Sequence, residues 1–121
     1  MWRTESLFAM RFRVVLVPFP FDDLSDQKVR PAVCLSDAVG AHRHVVLAFI
    51  TSTVPTTLET TDVLLTPGTP DFASTGLRVR STLRLHRMVT VSAAIIRRQL
   101  GVLSPGVQAQ VQQRLRTLFA L

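Results

Sequence analysis

Apolar residues in this chain come in short β-branched runs, and prolines, glycines and polar stretches cut each one off before it reaches helical length. Val14-Val15-Leu16-Val17 is such a run. Pro18 and Pro20 end it or confine it to a sheet edge, because proline donates no ladder hydrogen bond. The pattern predicts further strands at Pro31–Ser36, His44–Thr51 and Asp62–Thr66, one long strand or two short ones over Ser81–Val91, and a last strand around Leu100–Leu103. Between them fall a polar loop from Asp22 to Lys28, a turn from Asp37 to Arg43 around Gly40 and a loop from Val54 to Thr61. Pro67-Gly68-Thr69-Pro70 is turn chemistry, and a short turn runs from Ser92 to Arg98.

Only the final segment has a helical period. Ser104 is a good N-cap and Pro105 an ideal first helical residue. Val107, Val111, Leu115 and Leu118 then form one apolar stripe, and Gln108, Gln110, Gln112, Arg114 and Arg116 cover the other side. Several short strands plus one terminal helix predict a mainly β fold, a compact barrel with a C-terminal α-helix. With 121 residues, 47% of them hydrophobic and 18% charged, the composition is that of one globular domain rather than a disordered chain. That domain spans residues 1–121, with 1–12 read as a leader and the start of the first strand. Met10 offers an alternative start, which would make the first nine residues a non-functional leader.

Charge is divided along the chain. Of the 14 Lys plus Arg, all but Lys28 are Arg, and all 8 acidic residues lie at or before Asp71. Arg78, Arg80, Arg84, Arg87, Arg97, Arg98, Arg114 and Arg116 follow with no carboxylate to offset them, within a formal charge of +6. Such a field attracts phosphates, anionic membrane surfaces or an acidic protein, and arginine favours forked contacts to phosphate or carboxylate. A high-GC genome accounts for Arg over Lys but not for the missing acids.

Cys34, the single cysteine, excludes an internal disulfide framework and a cysteine-built metal site; it reads as a small core residue within Pro31-Ala32-Val33-Cys34-Leu35. No apolar run approaches the ~20 residues of a membrane-spanning helix. Met1 to Ser6 mixes charged and polar residues and is no signal peptide. A cytoplasmic protein without a membrane partner is expected.

Phosphate-loop, dinucleotide, paired-histidine and serine-elbow signatures are absent. His42, His44 and His86 are too scattered to argue for a metal, and no cofactor is expected. What remains is a set of polar residues at strand ends: Arg30 before one strand, Thr51 and Ser52 closing another, and Arg84 and His86 alternating with Leu83 and Leu85. With the leucines facing the core, Arg84 and His86 share the outer face, ~7 Å apart, which is enough to straddle one phosphate. A guanidinium stabilises phosphorane charge, an imidazole takes a proton near neutral pH, and a hydroxyl holds a phosphate oxygen. Those are the parts for metal-free RNA cleavage by the neighbouring 2′-hydroxyl. The spacing is equally that of an ordinary charged outer strand face.

The run Val14-Val15-Leu16-Val17-Pro18-Phe19-Pro20-Phe21 resembles the first strand of PemK/MazF toxins. The similarity continues through Arg30-Pro31-Ala32-Val33, Ala48-Phe49-Ile50-Thr51-Ser52, Asp62-Val63-Leu64-Leu65, Gly76-Leu77-Arg78, Ser81-Thr82-Leu83-Arg84-Leu85 and Leu100-Gly101-Val102-Leu103-Ser104-Pro105. It covers nearly everything from Arg13 to the C-terminus, and the ordered set is more specific than any piece. The resemblance implies an SH3-like barrel paired as a homodimer. It also implies a sequence-selective, metal-independent endoribonuclease that leaves a 2′,3′-cyclic phosphate and a 5′-hydroxyl, restrained by a cognate acidic antitoxin over its RNA groove. Arg30 would stabilise the transition state, Thr51 would contact the reacting phosphate with Ser52 in support, and Arg84 would be the late-strand arginine. Lys28, Arg78, Arg80 and Ser81 would bind RNA. There are three departures. His86 stands where aspartate is usual, Phe12-Arg13 stands for a common Gly-Asp, and Arg80 replaces a common proline. Besides an active toxin, two readings stay open: a catalytically weak or inactive module that binds nucleic acid, antitoxin or a protein target, and a basic barrel with no toxin role.

Overall fold

A computed structural model describes residues 9–18 and 28–121. The elements are β1 (Arg13–Pro18), β2 (Val29–Cys34), β3 (His44–Thr51), β4 (Asp62–Leu65), α1 (Pro70–Ala73), β5 (Ser81–Ser92), a 3₁₀ turn (Ala93–Ile95), β6 (Arg98–Val102) and α2 (Pro105–Leu118). The 6 strands form one curled sheet, a half-barrel, in the order β4-β5-β3-β2-β1-β6, with every neighbouring pair antiparallel. Most of the expected Asp22–Lys28 loop and of the leader lies outside the described residues.

Alternation along the strands gives the sheet two apolar faces, each with its own core. On one, Val14, Val33, Ala48, Ile50, Val63, Leu65, Leu83 and Leu85 pack with Phe72 of α1, Leu103, and Val107 and Val111 of α2. On the other, Val15, Val17, Ala32, Cys34, Val45, Leu47 and Phe49 pack under Met10, Ala38 and Ala93, with Ile95 and Ile96 against them. Met10 and Phe12 therefore belong to the folded body, and the Met10 and Arg11 amides donate to Asp37 Oδ1 at 3.0 Å. The terminal helix starts as expected, with the Val107 N–H donating to Ser104 Oγ at 3.3 Å. Its stripe buries Val107 and Val111 and packs Leu115, but leaves Leu118 exposed at the helix end.

One feature differs from the sequence reading and two refine it. Thr69-Pro70, read as a turn, opens the short helix α1 with Thr69 as N-cap, the same device as Ser104-Pro105. Pro31 lies inside a central strand; it is accommodated because the β2–β3 ladder runs only from Ala32↔Phe49 to Cys34↔Leu47, beyond the proline. β5 is one strand, but its register against β3 jumps from Ala48↔Met88 to Ile50↔Leu83, so that Arg84–Arg87 stand opposite the single residue Phe49.

Phe12 is buried at φ 70°, in the left-handed region that favours glycine. Removing its ring costs about 3–5 kcal/mol, while the left-handed backbone costs a non-glycine residue about 1–2 kcal/mol. Both Phe12→Ala and Phe12→Gly are expected to destabilise in urea unfolding, with glycine the milder by about 1 kcal/mol; the reverse order contradicts the conformation. Burial also pushes the Cys34 thiol from 9.0 up to about 12. The native state then keeps a proton that the unfolded chain releases, so stability falls as pH climbs from 9.0 towards about 12. Replacing Cys34 with Ala is expected to flatten that slope, as read by denaturation midpoints across the range.

Candidate active site

Period two places Arg30 on the face of Ala32 and Cys34, and Thr51 on the face of Leu47 and Phe49. The β2–β3 register, continued two residues past Ala32↔Phe49, sets Arg30 across from Thr51 just beyond where the ladder has stopped. Leu83 and Leu85 point into the α2-side core, which turns Arg84 to the opposite face, that of Phe49. These residues, remote in sequence, meet at one cleft of about 230 Å³ lined by Arg30, Phe49, Ile50, Thr51, Arg84 and Arg87.

Each polar group there has a definite setting. Thr51 Oγ1 accepts the Thr53 N–H at 3.1 Å, which fixes the rotamer and leaves the hydroxyl hydrogen to donate elsewhere. Arg84 Nε donates to Asp62 Oδ1 at 3.0 Å and Nη2 to Oδ2 at 3.4 Å. Thr82, opposite Thr51 in the β3–β5 ladder, is wholly buried, and its hydroxyl has no hydrogen-bond partner among the described residues. The cleft thus presents three guanidiniums and a hydroxyl over an aromatic floor, a receptor for a phosphate with an apolar surface beside it.

The other expected site residues sit elsewhere. His86 is exposed and does not line the cleft; its Nδ1 is 2.7 Å from Thr61 Oγ1. Ser52 and Lys28 are exposed at the ends of β3 and β2. Arg78 lines a separate hollow with Leu16, Pro31, Gly76, Leu77, Arg98 and Leu100, while Arg80 is exposed just before β5. Leu16 and Pro31 belong by alternation to the α2-side face, so this hollow opens on the other side of the sheet from the cleft. Ser81, expected to bind RNA, is buried with its hydroxyl donating to the Val79 carbonyl at 2.8 Å; period two at the start of β5 turns it inward. Arg87, unassigned from sequence, joins the cleft. Simple alternation sets it with the leucines, and only the register jump opposite Phe49 brings it round. Among the described residues no cluster of three or more His, Cys, Asp or Glu is placed to hold a metal ion, and no helix is long and apolar enough to cross a membrane.

A curled antiparallel half-barrel with a C-terminal helix is the fold of solved MazF-type toxin structures. It matches a mycobacterial endoribonuclease solved with its cognate antitoxin at TM-score 0.67, with 18% identity over 93% of this chain and 95% of that one. The toxin MazF-mt6 of Mycobacterium tuberculosis matches at TM-score 0.66, with 21% identity over 90% and 97% of the two chains. MazF of Deinococcus radiodurans matches at 0.67, with 19% identity over 94% and 98%. A sequence search among curated proteins returns no match. The family model for PemK-like, MazF-like toxins of type II toxin-antitoxin systems matches residues 10–119, and the chain belongs to that family.

Proposed function

We propose that the chain is the toxin of a type II toxin-antitoxin pair and acts as a metal-independent, sequence-selective endoribonuclease on single-stranded RNA. The observation that carries the reading is the meeting of Arg30, Thr51, Arg84 and Arg87 at one cleft. Family membership and the endoribonuclease folds it resembles support it. In this reading a ribose 2′-hydroxyl attacks the adjacent phosphorus, the P–O5′ bond breaks, the departing O5′ takes a proton from water, and the products are a 2′,3′-cyclic phosphate and a 5′-hydroxyl. Arg30, Arg84 and Arg87 stabilise the charge gathering on the phosphorane oxygens. Thr51 donates its hydroxyl hydrogen to a non-bridging oxygen.

His86, beside Arg87 in sequence and outside the cleft lining, is the imidazole assigned to take the 2′-hydroxyl proton. In the tautomer that donates Nδ1–H to Thr61 Oγ1, the Nε2 lone pair is free to accept it. Ser52, Lys28, Arg78 and Arg80 extend the electrostatic track for the strand. An acidic antitoxin competes for the same +6 surface. The molecule acts as a homodimer in the cytoplasm.

The second reading, a binder without turnover, has one observation in its favour: His86 does not line the cleft. Incubation of the purified chain with a long RNA in EDTA separates the two. Cuts with cyclic-phosphate ends support the nuclease, and tight binding without cuts, with or without metal, supports the binder. Arg30→Ala is expected to lower cleavage by about 10²-fold or more with the melting midpoint preserved; unchanged cutting removes Arg30 from the mechanism. His86→Ala is expected to lower the rate by about 10²-fold. An unaltered rate takes the base role from His86.

A further inference from the structure

We propose that Asp62 is a positioning residue for this chemistry: its buried carboxylate holds the Arg84 guanidinium as a fixed fork at the cleft wall. This rests on the nuclease reading given above. An arginine side chain carries about 2 kcal/mol of rotamer entropy, so a guanidinium that is to meet developing charge without rearrangement has to be held beforehand. Asp62 does this by a two-point contact, Nε to Oδ1 at 3.0 Å and Nη2 to Oδ2 at 3.4 Å. The Asp62 side chain is 0% exposed while that of Arg84 is 23% exposed, so the carboxylate lies behind the guanidinium, away from any bound strand.

The carboxylate is itself fixed. Oδ2 accepts the Glu59 N–H at 2.9 Å, and the Asp62 N–H donates to the Glu59 carbonyl at 3.0 Å, closing a tight turn around the acid. The turn is tied in on both sides. The Leu85 N–H donates to the Thr61 carbonyl at 3.0 Å, and Arg114 Nη1 of α2 donates to the Thr60 carbonyl at 2.6 Å. Asp62 faces Arg84 across the β4–β5 ladder at its end pair, and Arg84 is the first residue of β5 to have left β3, so the anchor sits where β5 would otherwise be least constrained. The fork uses Nε and one hydrogen of Nη2, leaving Nη1 and the second Nη2 hydrogen to donate to a phosphate.

A purely structural role fits this arrangement less well. Well-packed apolar residues stabilise a strand pair as well as or better than a buried ion pair does, and no apolar side chain aims a guanidinium. The pair is also neutral as a whole, which gives the test its discriminating sign. Removing the Asp62 charge frees the Arg84 fork and adds a positive charge beside the cleft. Turnover should fall while RNA affinity holds or rises.

The test is single-turnover and steady-state cleavage of one RNA substrate in EDTA by the wild type and Asp62→Asn, with melting midpoints and RNA affinity measured alongside. The expected result is a loss in kcat of about 10-fold or more, with KM unchanged or lower. In an Arg84→Lys background, where no fork forms, Asp62→Asn is expected to cost little more. Wild-type kcat in folded Asp62→Asn overturns the proposal while leaving the nuclease reading intact, and so does a joint fall of kcat, RNA affinity and melting midpoint. Should Asp62→Asn melt below the assay temperature, Asp62→Glu decides. It keeps the ion pair and displaces the fork by one methylene, so reduced kcat at a wild-type midpoint is expected, and wild-type kcat overturns the proposal. A wild type inert toward RNA removes the nuclease reading and this proposal with it.

Discussion

Phe49 stands alone on β3 against Arg84–Arg87 of β5, and that mismatch of register is what the cleft depends on. A regular ladder would have paired every backbone group there and sent each side chain to a fixed face. Instead β5 departs from β3 for four consecutive residues, Arg84 to Arg87, and brings two of its arginines to one opening. On the other side of β3 the ladder to β2 also stops early, beside Pro31, and exposes Arg30 opposite Thr51. The two interruptions flank the same end of the same central strand. The rest of the sheet, with an apolar core on each face, supplies the rigidity that lets the ladder be broken at that point.

Electrostatics follow from this geometry. Acidic residues end at Asp71 in the sequence, yet one of the early acids, Asp62, is folded directly behind the cleft and fixed by the Glu59 amide. A surface with a field of one sign draws in a polyanion without regard to its chemistry. A guanidinium held in place by a buried carboxylate meets charge at one position.

Much of this was readable in the sequence. The alternation of Leu83 and Leu85 with Arg84, the run His44–Thr51 and the Ser104-Pro105 helix start all carry local signals, and the structure has them in place. Arg30, Thr51 and Arg84 could be named because each lies at or near a strand end within a recognisable family pattern. Arg87 was not legible, since period two sends it to the wrong face and the bulge that redirects it depends on two partner strands. The same holds for Asp62, whose value comes from a cross-strand partner, and for Ser81, which the alternation at the start of β5 buries. His86 illustrates the converse. Its i, i+2 spacing from Arg84 implied a shared face, but the backbone between them is irregular and its ring meets Thr61 instead of the cleft. Phe12 holds a positive φ that a glycine adopts without strain, and its ring filling the core explains how a bulky residue is tolerated there.

The central claim is that Arg30, Thr51 and Arg84 together seat the phosphate whose ester bond breaks. A crystal structure of the chain with a short RNA carrying a 2′-deoxy sugar at the mapped cut site addresses it directly, because the missing hydroxyl leaves the substrate whole. The account predicts the scissile phosphate between the Arg30 and Arg84 guanidiniums, with Thr51 Oγ1 within hydrogen-bonding distance. A strand whose uncut phosphate rests instead in the hollow of Arg78 and Arg98, on the far side of the sheet, contradicts it.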